Sequence, residues 1–114
     1  EFYSQAITPS AAANLLQVDA IVHFGNSTIA VETAVIFRDS GANGLAAGWA
    51  WVPAANDLLN VPVTYLCKAN QTTSTTFKLR VGGNGGTTTI NGQSGGATYG
   101  GILASGIIVK ELMG

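Results

Sequence analysis

An antiparallel all-β sandwich of about eight short strands is the fold this sequence predicts, and three observations predict it. Apolar and polar residues alternate in several separate runs, the pattern of strands with one buried face. Turn-forming Gly, Asn and Pro break those runs at regular intervals. No run carries a helical period of 3.6 over a useful length, so the strands have only each other to pack against. The 114 residues suit one domain. Residues 1–14 read as a lead-in or edge strand, and 15–114 as the sandwich itself.

The first long strand is Leu16, Val18, Ala20, Val22 and Phe24 on one face, with Gln17, Asp19, Ile21 and His23 on the other. Gly25-Asn26-Ser27 supplies turn residues. A second run places Ile29, Val31, Thr33, Val35 and Phe37 opposite Thr28, Ala30, Glu32, Ala34 and Ile36, and the two runs together read as a hairpin. Arg38-Asp39-Ser40-Gly41 ends it, and Leu45 to Val52 forms a strand or irregular edge piece that stops at Pro53. Val61 to Lys68 is next, with Pro62 marking an edge or a strand start. Thr75 to Val81 is the clearest strand, Thr87 to Ile90 a short one, and Asn91-Gly92 a strong turn signal. Gln93 to Gly101 reads as an exposed glycine-rich loop that Tyr99 pins to the body, and Ile107 to Leu112 closes the sheet.

Charged residues make up only 10% of the chain against 46% apolar, where about 25% charge is usual. Either a membrane or neighbouring copies can cover so apolar a surface. No window approaches the roughly 20 apolar residues of a spanning helix, so membrane insertion is set aside in favour of self-association. Five bases against six acids form no basic run, which argues against nucleic acid. The chain starts Glu1-Phe2 rather than with Met, and reads as a cloning remnant ahead of a terminal piece of a longer protein.

Little here can do chemistry. His23 has no second imidazole to form a dyad or zinc site, and with Asp19 it offers one hydrogen bond at most. Asp39 and Asp57 both lie in connections, but their spacing does not require a carboxylate pair. Asp39 to Gly44 has oxygen donors for a weak calcium loop, although a turn satisfied by its own side chains explains it better. Ser94 lacks the strand–turn–helix setting of a nucleophile, and Cys67 reads as a small buried hydrophobe. No catalytic residue, metal or cofactor is assigned. Asn26-Ser27-Thr28 and Asn70-Gln71-Thr72 match the glycosylation pattern, as chance would allow in a chain rich in Asn and Thr. Trp49 and Trp51 share one face of their strand, leaving three roles open: core, subunit interface or exposed platform for a ligand.

Ile21, Ile36, Leu66 and Ile108 fall on faces expected to point outward, on four different strands. Apolar residues on both faces require a second burial surface, and closed rotational symmetry supplies one without further growth. These four are the candidate subunit interface.

The segment from Asn70 through Thr75-Thr76-Phe77-Lys78-Leu79-Arg80-Val81, the strand ending Ile90-Asn91-Gly92, and Ser105-Gly106-Ile107-Ile108-Val109-Lys110-Glu111-Leu112 resemble jelly-roll domains of tailed-bacteriophage structural proteins, including fibre tips and head fibres. The run Val35-Ile36-Phe37-Arg38-Asp39 resembles the strand that enters the Arg-Asp turn of that family, although Ser40 to Gly44 makes a longer connection here. The resemblance implies a TNF/C1q-like jelly roll assembled as a homotrimer, on the extracellular virion surface, with no catalytic residues. It implies that loops contact the host, here around Asn43, Asn70, Asn84, Gln93 and Tyr99, with Trp49 and Trp51 as further recognition candidates. The expected partners are other copies of the chain, other virion proteins, and a host-surface glycan or protein. The leading expectation is thus a non-enzymatic fibre-end domain for trimerisation and attachment. A carbohydrate-binding sandwich and a capsid decoration or minor coat protein are the alternatives.

Overall fold

The alternation of residues 15–26 produces a long strand at the centre of one sheet, as the computed structural model, which describes residues 3–93, 95–97 and 104–113, makes plain. Chain order is β1 (Tyr3–Ile7), β2 (Leu15–Asn26), β3 (Ala30–Arg38), β4 (Ala46–Val52), β5 (Leu58–Lys68), β6 (Thr75–Gly83), β7 (Thr88–Ile90), β8 (Gly92–Gln93), β9 (Gly96–Ala97) and β10 (Gly106–Leu112). There is no helix among the described residues. Two antiparallel sheets form. Sheet A runs β1-β6-β3-β4, and sheet B runs β10-β2-β5, with β7 pairing the far end of β2. Among the described residues, the strands β8 and β9 pair only with each other.

The core lies between the sheets. Leu16, Val18, Val22 and Phe24 of β2 face Ala34 and Ile36 of β3 and Phe77 and Leu79 of β6, with Val52, Val61 and Val63 closing one side. Each large side chain sealed there contributes about 1.5–3 kcal/mol relative to exposure. The fold is therefore an antiparallel two-sheet sandwich whose eight strands of three or more residues match the predicted number. The N-terminal lead-in is an edge strand, since β1 pairs with β6 in sheet A.

Two expectations are corrected. The first two long runs do not make a hairpin: β2 lies in sheet B and β3 in sheet A, and the chain crosses between sheets at Ser27 to Ile29. Period two shows which residues share a face, but two adjacent runs with one apolar face each can pair edge to edge or stack face to face. Ile36 does not point outward either. It is fully buried, because the inward face of β3 is the one carrying Ala30, Glu32, Ala34 and Ile36. The opposite face carries Val31, Val35 and Phe37 and is the more apolar of the two, so alternation alone pointed the strand the wrong way. A smaller difference concerns β5, which begins at Leu58 rather than Val61 and holds Pro62 in its interior. That is tolerated because β5 is an edge strand, whose second side needs no N–H donor.

Gly48 sets how closely the two sheets approach along one side. A Cβ there would stand 2.7 Å from a Val61 methyl and 2.9 Å from the Pro62 carbonyl oxygen. Edge strand β4 can lie that close to edge strand β5 only without a side chain at this point. At the end of β3, the Arg38 guanidinium donates to the carbonyls of Lys68 (3.1 Å) and Ala69, and lies 5.6 Å from the Phe77 ring centre. One side chain of sheet A thus fastens the end of β5 in sheet B. On the opposite side, Glu111 of β10 accepts hydrogen bonds from the Ser10 amide (2.8 Å) and the Asn14 side chain (2.8 Å).

Gly48→Ala is expected to destabilise the domain by about 1–3 kcal/mol, because the obstacle includes backbone. Gly82→Ala, where a Cβ meets nothing within 4 Å, should stay within about 0.5 kcal/mol; equal costs in urea unfolding would refute this account of the sheet contact. The bonds from Asn14, then those from Ser10, hold the Glu111 carboxyl below its ordinary value. A depressed carboxylate stabilises the fold above the ordinary pKa and loses that contribution as pH falls through the lowered one. Glu111→Gln should remove this part of the acid-side slope of stability against pH, and an unchanged slope would count against it.

Candidate functional site

The outward faces of the two sheets carry the exposed side chains that the core does not use. On sheet A, β4 alternates strictly, so Ala46, Gly48, Ala50 and Val52 turn inward and Ala47, Trp49 and Trp51 outward. Trp49 is 70% exposed and Trp51 53%, which takes both rings out of the core. Of the three roles left open for the tryptophans, core filling is therefore excluded. Cross-strand register sets Thr33 opposite Trp49 and Val31 opposite Trp51. On the next strand, Lys78 pairs Phe37 and Arg80 pairs Val35, with the Arg80 guanidinium 4.5 Å from the Phe37 ring centre.

Sheet B presents Ile21 (39% exposed), Leu66 (54%) and Ile108 (59%), as the expectation for these three required. Between β2 and β10 lies an apolar hollow of about 210 Å³, lined by Asp19, Ala20, Ile21, Gly106 and Ile108. That is smaller than the roughly 300–1,000 Å³ of a typical small-molecule site and closer to the size of a side chain. Asp19 at its edge accepts from Gln17 (3.0 Å) and Thr64 (3.2 Å) rather than from His23. His23 is half-buried, and its backbone amide donates to the Ser105 hydroxyl (2.8 Å) while its carbonyl accepts from Asn91 (2.7 Å).

The polar loop residues do not gather into one surface. Asn43 follows β3, and Asn70 follows β5 at the same end of the sandwich, beside the carbonyls that Arg38 holds. Asn84 is at the opposite end, where its side-chain oxygen accepts from the Val31 amide (2.9 Å) and its own amide donates to the Val31 carbonyl (3.2 Å). It extends a ladder while remaining exposed. Backbone positions 92–93 lie near that second end, while Ser94, Tyr99 and the Gln93 side chain fall outside the described residues.

Asp39 and Asp57 are likewise separated. Asp39 adopts φ +50 beyond the end of β3, accepts from the Thr76 amide (2.8 Å), and lies 3.9 Å from Arg38 Nε. Asp57 adjoins Asn56, whose amide donates to the Asn26 carbonyl near the start of β3. A strand of nine residues lies between them, about 30 Å at the usual rise, so they do not flank a cleft. Among the described residues, no three His, Cys, Asp or Glu side chains come together as metal ligands. Burial pushes the Cys67 thiol above its ordinary pKa, while the nearby Arg38 guanidinium pulls the other way.

Sequence reasoning missed a buried polar cluster. Glu32 is fully buried, and its Oε1 accepts from the Asn26 amide group and the Thr88 hydroxyl (2.6 Å). Asn26 also donates to the Gly85 carbonyl (2.9 Å) and accepts from the Thr28 amide (2.9 Å). Gly83 passes so close that a Cβ there would stand 2.7 Å from the carboxyl. The signal was present, since an acid alternated with Ala30, Ala34 and Ile36 on one face. Sealed from solvent, this group is structural, and Asn26 is withdrawn from glycosylation in the folded chain. Asn70 of the second pattern is exposed.

No protein-family model matches the chain, and no curated protein matches it either.

Because both indoles stand in solvent, acrylamide should quench the folded protein's tryptophan emission nearly as well as that of the urea-unfolded chain. Strong protection at concentrations where the chain is monomeric would refute the outward placement of β4's side chains.

Proposed function

We propose that the chain is a non-enzymatic domain of the jelly-roll, TNF/C1q-like kind. In this reading it forms a homotrimer at the end of a phage fibre or related virion appendage and serves in attachment to the host surface. The observation that carries the self-association is the outer face of sheet B. Ile21 and Ile108 line a hollow the size of a side chain, and Leu66 stands exposed on the neighbouring strand β5. A monomer would keep that face in water, and a chain with only 10% charged residues has little else to hold it soluble. Ile36 leaves the proposed interface, because it belongs to the core. The phage setting rests on the resemblance of the C-terminal strands, and the three-fold symmetry on the same resemblance together with the need for a closed assembly.

A second reading, a carbohydrate-binding sandwich, is favoured by the exposure of Trp49 and Trp51 on one side of β4. The two readings are compatible, since the self-association face and the tryptophans are on opposite sheets.

Light scattering after size exclusion should give a mass of three times the 11.6 kDa chain across a wide concentration range. Ile108→Asp, on an exposed position, should shift the mass to that of one chain without loss of β-structure by circular dichroism. A monomeric parent protein at every concentration would overturn self-association.

A further inference from the structure

The outer face of sheet A combines two features seldom found together by accident of packing. Its edge strand carries two large exposed indoles at successive outward positions, about 7 Å apart along the strand. Its third strand carries Lys78 and Arg80, also outward, because they alternate with buried Phe77 and Leu79. Between the two lies a floor of modest side chains, Thr33 and Val35 of β3, and at Gly82 an open position where a Cβ would meet nothing within 4 Å.

Charge separates this face from the rest of the molecule. The outward residues of β3, β4 and β6 include Lys78 and Arg80 and not one Asp or Glu. Glu32 of β3 points into the core, where Asn26 and Thr88 hold it. Asp39 lies past the end of the strand, committed to the Thr76 amide. The ion pair among the described residues is Arg38 with Asp39, so neither Lys78 nor Arg80 is neutralised by a carboxylate of those residues. Arg80 is also pre-positioned, resting over the Phe37 ring.

We propose that this face binds an acidic saccharide, whose sugar rings stack on Trp49 and Trp51 and whose carboxylate reaches Arg80, with Lys78 adding to the field. The chemistry selects this class. Exposed indoles offer flat apolar surfaces with a polar edge, which suits the C–H face of a pyranose. Guanidinium is the group that takes a carboxylate in paired hydrogen bonds. A neutral saccharide would use the tryptophans and leave the cations idle, and an aliphatic partner would leave both cations to be desolvated unpaired. The site deepens the attachment role proposed above by naming a ligand class, but it does not depend on trimer formation, since every residue in it comes from one chain.

The test uses short oligosaccharides of galacturonic, mannuronic and sialic acid, with carboxyl-reduced counterparts as neutral comparison, titrated into the full chain by calorimetry and by NMR of the indole N–H signals. At least one acidic member should bind and shift both indole signals, and should bind about tenfold more tightly than its neutral counterpart, weakening as salt is raised. Trp49→Ala and Trp51→Ala should each lower affinity about tenfold or more. Arg80→Ala should abolish the preference for the acidic form while leaving weak binding to both. All three positions are outward, so the variants should keep the parent's unfolding midpoint. Ile108→Asp should leave per-site affinity unchanged, and this separates failure of the saccharide site from failure of the proposed assembly. Absence of binding by every acidic member, or binding that survives both tryptophan variants, would overturn the proposal. So would dissociation of the oligomer by Trp49→Ala and Trp51→Ala together, which would make the face a subunit contact.

Discussion

The contact between the Glu32 carboxyl and the Asn26 side chain is the one on which the arrangement of the sandwich depends. Asn26 is the last residue of β2 in sheet B, and Glu32 is the third of β3 in sheet A. The Thr88 hydroxyl joins from β7 and the Gly85 carbonyl from the turn after β6, while Gly83 of β6 gives the carboxyl room. One polar cluster therefore draws segments of both sheets to the point where the chain crosses between them. A buried acid without partners would cost several kcal/mol, so the crossing is tolerable only in a geometry that supplies donors, which here reach Oε1 and not Oε2. That requirement makes the cluster specify one arrangement of the corner over the others that the apolar residues would accept.

The other end of the sandwich is held by a different chemistry with the same result. Arg38 reaches from the end of β3 to the backbone carbonyls at the end of β5 and lies beside the Phe77 ring. Sheet A is thus tied to sheet B at both ends of β3, by an acid at one and a base at the other. Along the side, Gly48 lets β4 settle against β5. With the sheets positioned by these contacts, the outward side chains have no structural duty, and the two outer faces are free to differ. Sheet B's carries Ile21, Leu66 and Ile108 among Gln17, Asp19, Thr64 and Lys110, and sheet A's is aromatic and basic. The two proposals, a copy of the same chain on one face and a ligand carrying negative charge on the other, rest on that difference.

The two glycosylation patterns illustrate how burial overrides a motif. Both fall at turns predicted from the sequence, and by pattern alone they are equivalent. Asn26 is consumed by the buried cluster and Asn70 is exposed at φ +61. Similarly, the polar residues Asn43, Asn70 and Asn84 looked like one set of loop tips, yet the topology sends two of them to one end and makes the third part of a ladder.

Alternation along the chain by itself determined the strands of β2, β6 and β10 and the inward faces of β2 and β6, because a strand's side chains change sides at every residue and burial rewards whichever face is apolar. It also placed Trp49 and Trp51 on a common side, and Ile21, Leu66 and Ile108 on faces turned away from the core. It could not decide which strands pair, since pairing is made between residues far apart in the chain through backbone groups that are the same in every sequence. Hence β2 and β3 looked like a hairpin but stack in opposite sheets. It turned β3 the wrong way round, since Val31, Val35 and Phe37 make the more apolar face until Asn26 and Thr88 come within reach of Glu32. Only the tertiary structure brought those donors there, and in doing so it buried Ile36 and turned Val35 and Phe37 toward Arg80 and Lys78.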